Sequence, residues 1–460
     1  MKSIPQPALP FPELNSLQRS AQAVVPASDH NANKLTPHDH AFHDWYRFVL
    51  SFPPHLVRKY IQDFGLSREH TILDPFCGTG TTLVESKLDG IKAIGLEANP
   101  IAQFASSVKV DWTIDPELLI AKSQGIANST LGVLVSQGID DRQSFDEKPK
   151  DVRLRTLDDE VAALLLTNSI SPLPLHKTLI LLECMQQYRD EVFYRHAVLA
   201  LANALVYKIS NLRFGPEVGV GQVKRDAPVI AAWLSEIEKI ASDLRQVRGG
   251  LFPETQVFLA DAREIGRIIP SHSIDCVITS PPYPNEKDYS RTTRLESVIL
   301  GFIKNKSDLR ELKKRLVRSN TRSVYKEDDD DTWIADHGKI QLIANTIEKR
   351  RKELGKDSGF EKLYGRVTKL YFGGMARHLA ELRQVLRPGA QLAYVVGDQA
   401  SYLRVMIRTG NLLAEIAEAL GYTVIRIDLF RTRFATATKE QLREEVVVLK
   451  WKGGGAEQHG

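Results

Sequence analysis

The sequence predicts an α/β protein: one sheet with helices on both faces, interrupted by two mainly helical insertions. Three observations predict it. Short apolar runs at Thr71-Ile72-Leu73, Lys92 to Leu96, Thr255 to Leu259 and Ile274 to Ile278 each end in turn residues or acids, as buried strands do. The first two flank a Gly-rich turn and a helical pattern, so strand, turn, helix and strand follow in order. Two long stretches, 113–250 and 301–364, lack the strand pattern and read as helical.

Composition bounds the rest. A chain of 460 residues, 43% hydrophobic and 26% charged, has room for two or three domains or for one domain with large insertions. Its formal net charge of +4 is small, so any polyanion site has to arise from local clustering. Cys77, Cys184 and Cys276 lie far apart in apolar settings. With no CxxC or Cys/His cluster, neither a disulfide framework nor a metal site is expected. No signal peptide and no apolar run of about 18 residues is read, so a cytoplasmic protein without membrane contact is expected.

In chain order, residues 1–35 are rich in Pro, Ser, Ala and Asn and are expected to be a flexible arm. The unit 36–112 begins with an aromatic group around Trp45, Tyr46, Phe48 and Phe52. Core packing or a cofactor-facing wall accounts for these rings. After Pro53-Pro54 a helix is expected through Leu56, Val57, Tyr60 and Ile61. The strand at Thr71 then runs into Asp74-Pro75-Phe76-Cys77-Gly78-Thr79-Gly80-Thr81-Thr82 and the helix LVESKL. Gly78 and Gly80 allow a ligand to approach the backbone at a helix N-terminus. Glu97, 19 positions after Gly78, ends the next strand, where an acid meets ribose hydroxyls in such units. Having two glycines and not three favours a ligand without a pyrophosphate.

The first insertion, 113–250, should hold four to six helices and reads as a cap. Within it, residues 210–225 combine glycines, an aromatic and the bases Arg213, Lys224 and Arg225, a substrate-facing loop. The sheet resumes over 251–300. Asp261 ends one strand, where it could accept from an adenine amine. Thr279-Ser280-Pro281-Pro282-Tyr283 ends the next. Two prolines remove two N–H groups, so a hydroxyl, exposed carbonyls and an aromatic face converge. That set could hold a planar ring carrying an exocyclic amine.

The second insertion, 301–364, is a candidate for target recognition. Residues 304–326 carry nine bases against two acids, +7 in 23 residues, more than the whole chain's net charge. Polyanion contact is expected there, through Lys314, Arg315, Arg318 and Arg322. The alternative is a solvated helix face. The segment 365–452 should supply a helix from Leu370 to Leu386, a turn at Arg387-Pro388-Gly389 and a strand from Gln391 to Asp398. A helix from Leu412 to Leu420 and two final strands, Thr423 to Phe430 and Glu445 to Trp451, complete it. An antiparallel pair there would protect the sheet edge, and RTRFATATKEQL would be its connector. Residues 453–460 read as a disordered tail.

DPFCGTGTT, Glu97, Asp261 and TSPPY, in that order, resemble the S-adenosylmethionine-dependent DNA methyltransferases that act on exocyclic amines, cytosine N4 or adenine N6. The resemblance covers roughly 40–112, 251–300 and 365–452, and implies a Rossmann-like methyltransferase sheet. It implies S-adenosyl-L-methionine as cofactor, held by Phe52, Asp74, Phe76, Gly78, Gly80, Thr81, Glu97 and Asp261. It implies catalysis by Ser280, Pro281, Pro282 and Tyr283 on a base flipped out of double-stranded DNA. Ser at the first position of this loop more often accompanies cytosine N4. Adenine N6, an RNA substrate for the same fold, and a non-catalytic nucleic-acid binder stay open, as does a separately encoded restriction endonuclease as partner.

Overall fold

The computed structural model describes residues 36, 39–46, 52–141, 152–215, 217–285, 287–357, 359–435 and 440–454. The expected arm over 1–35, Phe48 and residues 455–460 of the expected tail lie outside the described residues.

Among the described residues nine strands form: β1 (Thr71–Asp74), β2 (Lys92–Glu97), β3 (Leu212–Phe214), β4 (Val218–Val220), β5 (Thr255–Leu259), β6 (Ile274–Thr279), β7 (Leu386–Gly397), β8 (Thr423–Ala435) and β9 (Glu440–Lys450). Seven make one sheet in the order β5-β2-β1-β6-β7-β9-β8. All neighbours are parallel up to β7, and β9 runs antiparallel between β7 and β8. The chain enters at β1, builds outward through β2 to β5, then returns to lay β6 on the other side of β1. That reversal opens a crevice beyond the carboxyl ends of β1 and β6, where ligands bind in such sheets.

Side chains alternate across this sheet because successive Cβ atoms point to opposite faces. Ile72, Cys276, Ile278, Ala393, Val395, Val446 and Val448 are buried on one face under the helix α1 (Pro54–Asp63), through Leu56, Val57, Tyr60 and Ile61. Leu73, Val277, Leu392, Tyr394, Val447 and Leu449 are buried on the other. There they meet α4 (Tyr364–Leu382) and α5 (Thr409–Ala419), while α2 (Thr81–Leu88) and α3 (Pro100–Lys109) link the early strands. Burial on both faces is why these strands read as apolar runs.

The first insertion contains helices Pro116–Ser136, Pro172–Gln186, Tyr194–Ala204 and Val229–Val247, with a one-turn helix at Asp159–Ala162. Its core is continuous with Leu83, Val84, Ile101 and Val108 of α2 and α3. The buried Lys177 ammonium lies 2.8 Å from Asp226 and 3.3 Å from Asp141, joining the loops at one end. Contrary to the sequence expectation, Pro116–Ser136 is long and apolar enough to cross a membrane by length and composition. It buries Leu119, Ile126 and Leu134 in the bundle. The second insertion supplies Lys306–Arg315 and Gly338–Glu353, and its Ile334, Ile340 and Ile347 join the core over α4.

Four boundaries differ from the sequence expectation. The helix expected from Leu370 to Leu386 runs over Tyr364–Leu382, and Leu386 opens β7. Residues 212–220, expected as loop, contain the hairpin β3–β4. Arg387-Pro388-Gly389 lies inside β7 as an irregularity, with Gly389 at φ 95° and a register shift against β6. Most of the expected connector between the last strands is strand itself. Arg431 pairs with Glu444 and Arg433 with Leu442, so β8 and β9 extend past β7 as a two-stranded ribbon.

Gly95 of β2 leaves no room for a side chain. An added Cβ would sit 2.6 Å from Leu83 Cδ1 and 2.9 Å from Cys77 Sγ. Gly95→Ala is therefore expected to cost about 1–3 kcal/mol by overpacking, read as a lower urea midpoint at unchanged slope. An unchanged midpoint would show that α2 and the Cys77 turn yield without cost.

Candidate active site

A cleft of about 300 Å³ opens at the carboxyl ends of the central strands. Its base is set by contacts between the β1 and β6 tips. Asp74 is fully buried, and its Oδ1 accepts from Thr279 Oγ1 at 2.6 Å and from Phe76 N at 3.1 Å. Desolvation raises its pKa to about 6. Asp74 thus lies beneath the cleft lining and joins the two loops, while Pro75, Phe76, Cys77, Gly78, Thr79 and Thr81 form the wall.

The Gly-rich turn folds back over the tip of β2. Gly78 has φ 52° and Gly80 φ 86°, both left-handed. Nothing lies within 4 Å of where a Gly78 Cβ would stand, whereas a Gly80 Cβ would meet Ser106 Cβ at 2.9 Å. Gly78 is therefore open to a ligand, and Gly80 is needed for packing of α2 against α3. Glu97 closes the turn: its Oε2 accepts from Gly78 N at 2.9 Å and its Oε1 from Asn99 N at 2.8 Å. Burial raises the Glu97 pKa to about 7, against the stabilising effect of those two amides on its ionised form. Beside it, Asn99 Oδ1 is buried with no hydrogen-bond partner among the described residues. A carboxylate and an unfilled acceptor side by side suit a pair of hydroxyl donors.

The far wall is built by Ala260 and Ala262. Asp261 between them directs its carboxylate to Arg263, with Nε to Oδ1 at 2.9 Å and Nη2 to Oδ2 at 2.6 Å. Arg263 also reaches Asp330 at 2.5 Å, which ties the second insertion to this wall. Phe52 and Pro53 cover the opposite side. Among the described residues no group of three or more metal-ligating side chains exists.

Ser280, Pro281, Pro282 and Tyr283 all line the cleft. Ser280 Oγ donates to Val395 O at 3.2 Å and also contacts the Tyr283 phenol, which leaves a lone pair as an acceptor. The Tyr283 ring packs on Gly397, where a Cβ would come within 2.9 Å of Cε2. Tyr283 N donates to Tyr289 Oη at 3.4 Å. Burial raises both phenols, Tyr289 to about 12, so each stays neutral.

Sequence reasoning missed Asn99, Asn285, Lys287, Tyr289, Phe430, Arg431, Arg433 and Glu444, which also line the cleft. Asn285, Lys287 and Tyr289 follow TSPPY in the same loop, and that proximity is a signal that could have found them. Arg431, Arg433 and Glu444 carry no local signal, since only strand pairing brings the ribbon to the cleft.

The expected polyanion contacts separate. Arg315 is exposed and lines the cleft. Arg322 and Arg213 are exposed, and so is Lys314, which pairs with Glu311 at 3.1 Å. Arg225 is also exposed. Lys224 caps carbonyls of Lys208 and Ser210 at 2.8 Å each. Arg318 is 3% exposed and is enclosed by Asp328 at 2.7 and 2.9 Å and by the carbonyls of Lys313, Lys314 and Leu316. It organises the insertion from inside.

The family model described as "DNA methylase", of the N6/N4 type, matches residues 24–105. The Type II methyltransferase M.BsoBI of Geobacillus stearothermophilus is 24% identical, across 92% of this chain and 86% of its own length. The Type II methyltransferase M.AvaI of a Nostoc species is 25% identical, across 86% of this chain and 81% of its own length. These likenesses extend through both insertions and bear out the resemblance carried by DPFCGTGTT and TSPPY.

Folding raises the Glu97 pKa from 4.5, so its contribution favours the folded state at low pH. That contribution is complete below about 4.5 and is lost as pH rises through about 7. Thermal unfolding of the wild type and Glu97→Gln, compared from about pH 5 to 8, should show the wild type losing stability relative to the variant. Parallel curves would contradict the assignment. Arg318→Ala should cost about 3–5 kcal/mol by stranding Asp328, and Arg322→Gln less than about 0.5, both measured by chemical denaturation. Equal effects would remove the distinction between inner and outer arginines.

Proposed function

This chain is a relative of the N6/N4 DNA methylases, and from that premise we propose that it transfers a methyl group from S-adenosylmethionine to an exocyclic amine of a flipped DNA base, cytosine N4. The observation that carries the reading is the convergence of two walls on one cleft. Glu97, Asn99 and the open Gly78 backbone form one, and Ser280 to Tyr283 the other.

The donor set fits the cofactor. Glu97 and the unfilled Asn99 Oδ1 would accept from the ribose hydroxyls. Phe52, Phe76 and Gly78 would enclose its amino-acid portion, with Ala260 and Ala262 at the adenine and the Asp261–Arg263 pair behind them. S-adenosylmethionine bound there supplies a methyl group on a sulfonium. The chain's own residues act on the amine, whose lone pair is delocalised into the ring and is a poor nucleophile. Ser280 Oγ, with its hydrogen held by Val395 O, and the Pro281 carbonyl accept the two amine hydrogens. That pulls the nitrogen towards a tetrahedral state and aims its lone pair at the methyl; as the N–C bond formed the sulfonium S–C bond would break, and the surplus proton on nitrogen would pass to water. Tyr283, fixed on Gly397, stacks on the base. The gain is one of positioning and fixed dipoles. Since a stacked base cannot enter such a cleft, flipping is part of the proposal.

The Type II names of the relatives support a separately encoded restriction endonuclease as partner. Ser280 supports cytosine over adenine, by resemblance to the loops of cytosine-N4 enzymes.

Purified chain with labelled cofactor should methylate DNA and not RNA, and hydrolysed DNA should contain N4-methylcytosine. N6-methyladenine would overturn the choice of base, and label in RNA alone would overturn the choice of polymer. Ser280→Ala and Tyr283→Ala should each reduce methyl transfer by at least about 100-fold, with cofactor affinity measured by calorimetry essentially unchanged. Full activity in either variant would overturn the mechanism.

A further inference from the structure

Three cations from separate parts of the chain line the same cleft. Lys287 follows the catalytic loop, Arg315 ends the helix Lys306–Arg315, and Arg433 stands on the β8–β9 ribbon. Their local counter-charge is short. Glu444 is held by Arg431 in a two-pronged pair at 2.6 and 2.9 Å. Arg433 reaches the same carboxylate only at 3.7 Å, and its side chain is 44% exposed. Lys287 is half-buried, and its ammonium makes no ion pair among the described residues. Burial and Arg433 lower its pKa, while Glu444 and Glu217 act the other way, which places these groups within electrostatic reach of one another.

A half-buried ammonium within electrostatic reach of the Arg433 guanidinium, beside a Glu444 carboxylate already held by Arg431, is costly unless an anion completes the set. The cofactor's single carboxylate belongs to the amino-acid portion, which the proposed placement sets against Phe52, Phe76 and Gly78. The Ser280–Tyr283 floor presents neutral groups to a base. Phosphodiesters answer the excess, since each brings one negative charge and displaces counterions on binding.

We propose that Lys287, Arg315 and Arg433 form a phosphate-binding site at the cleft mouth, for the phosphodiesters flanking the nucleotide whose base enters the cleft. This rests on the methyl-transfer reading above. It also gives the ribbon a role in binding. Arg433 would reach the phosphodiesters from the ribbon, Arg315 from the second insertion and Lys287 from the loop that follows Tyr283. These contacts carry no sequence information; they set register and hold the sugar-phosphate while the base is out of the stack.

The full-length chain is titrated with fluorescent duplex DNA across about 50–200 mM salt, for the wild type and for Lys287→Gln, Arg315→Gln and Arg433→Gln. Each substitution should weaken binding to all sequences alike and reduce the slope of log affinity against log salt by about one. Arg433→Lys should keep the slope, and unchanged S-adenosylmethionine binding by calorimetry shows that each variant is folded. An unchanged slope in variants that bind cofactor, or a loss confined to one target sequence, would overturn the site. A wild type that methylates no nucleic acid would overturn the methyl-transfer reading itself. A wild type that methylates DNA, beside variants with unaltered slopes, would overturn the phosphate site alone.

Discussion

The hydrogen bond from Thr279 Oγ1 to Asp74 Oδ1, 2.6 Å long and fully buried, is the contact on which the cleft depends. It joins the tips of two parallel strands that are 205 residues apart in sequence. One tip carries the Gly-rich turn and the other the Ser-Pro-Pro-Tyr loop. Parallel pairing of β1 with β6 brings the tips side by side, and the hydrogen bond fixes how the two loops leave the sheet. A buried carboxyl with raised pKa is retained there because its acceptors hold both Thr279 and the Phe76 amide.

The cleft stores electrostatic cost in several places. Glu97 is held partly desolvated against two amides, Asn99 Oδ1 lacks a partner among the described residues, and Lys287 is half-buried. Such groups weaken the empty protein and favour binding of whatever satisfies them. The opposite arrangement holds in the insertions. Lys177 between Asp141 and Asp226, and Arg318 within Asp328 and three carbonyls, are charges fully compensated by neighbours.

The two insertions also differ in how they attach. The first shares its core with α2 and α3, behind the Gly-rich turn. The second packs on α4 and is tied to the far wall of the cleft through Asp330 and Arg263. That link brings Arg315, Leu316 and Val317 into the lining. A segment whose charge suggests a solvent-facing basic stretch therefore contributes an apolar wall as well as cations.

The parallel strands, the Gly-rich turn, Glu97 and the catalytic loop are legible in the sequence because each is a local pattern. Apolar runs mark strands buried on both faces, two glycines mark left-handed backbone, and two prolines mark a loop without a ladder. Tertiary structure alone decided the roles of residues whose surroundings come from distant segments. Asp261 sits where a ligand acceptor is expected, yet its carboxylate faces Arg263. Arg318 cannot be told from Arg322 by type or spacing, and only the carboxylate of Asp328 and the fold of the chain around it set them apart. The ribbon residues Arg431, Arg433 and Glu444 reach the cleft through antiparallel pairing with partners on the opposite strand. The sequence by itself determined the central strands, the turn and the loop, since local backbone conformation follows short-range sterics. Which charges face the cleft was decided by long-range pairing, since the free energy of a charge depends on every group that surrounds it.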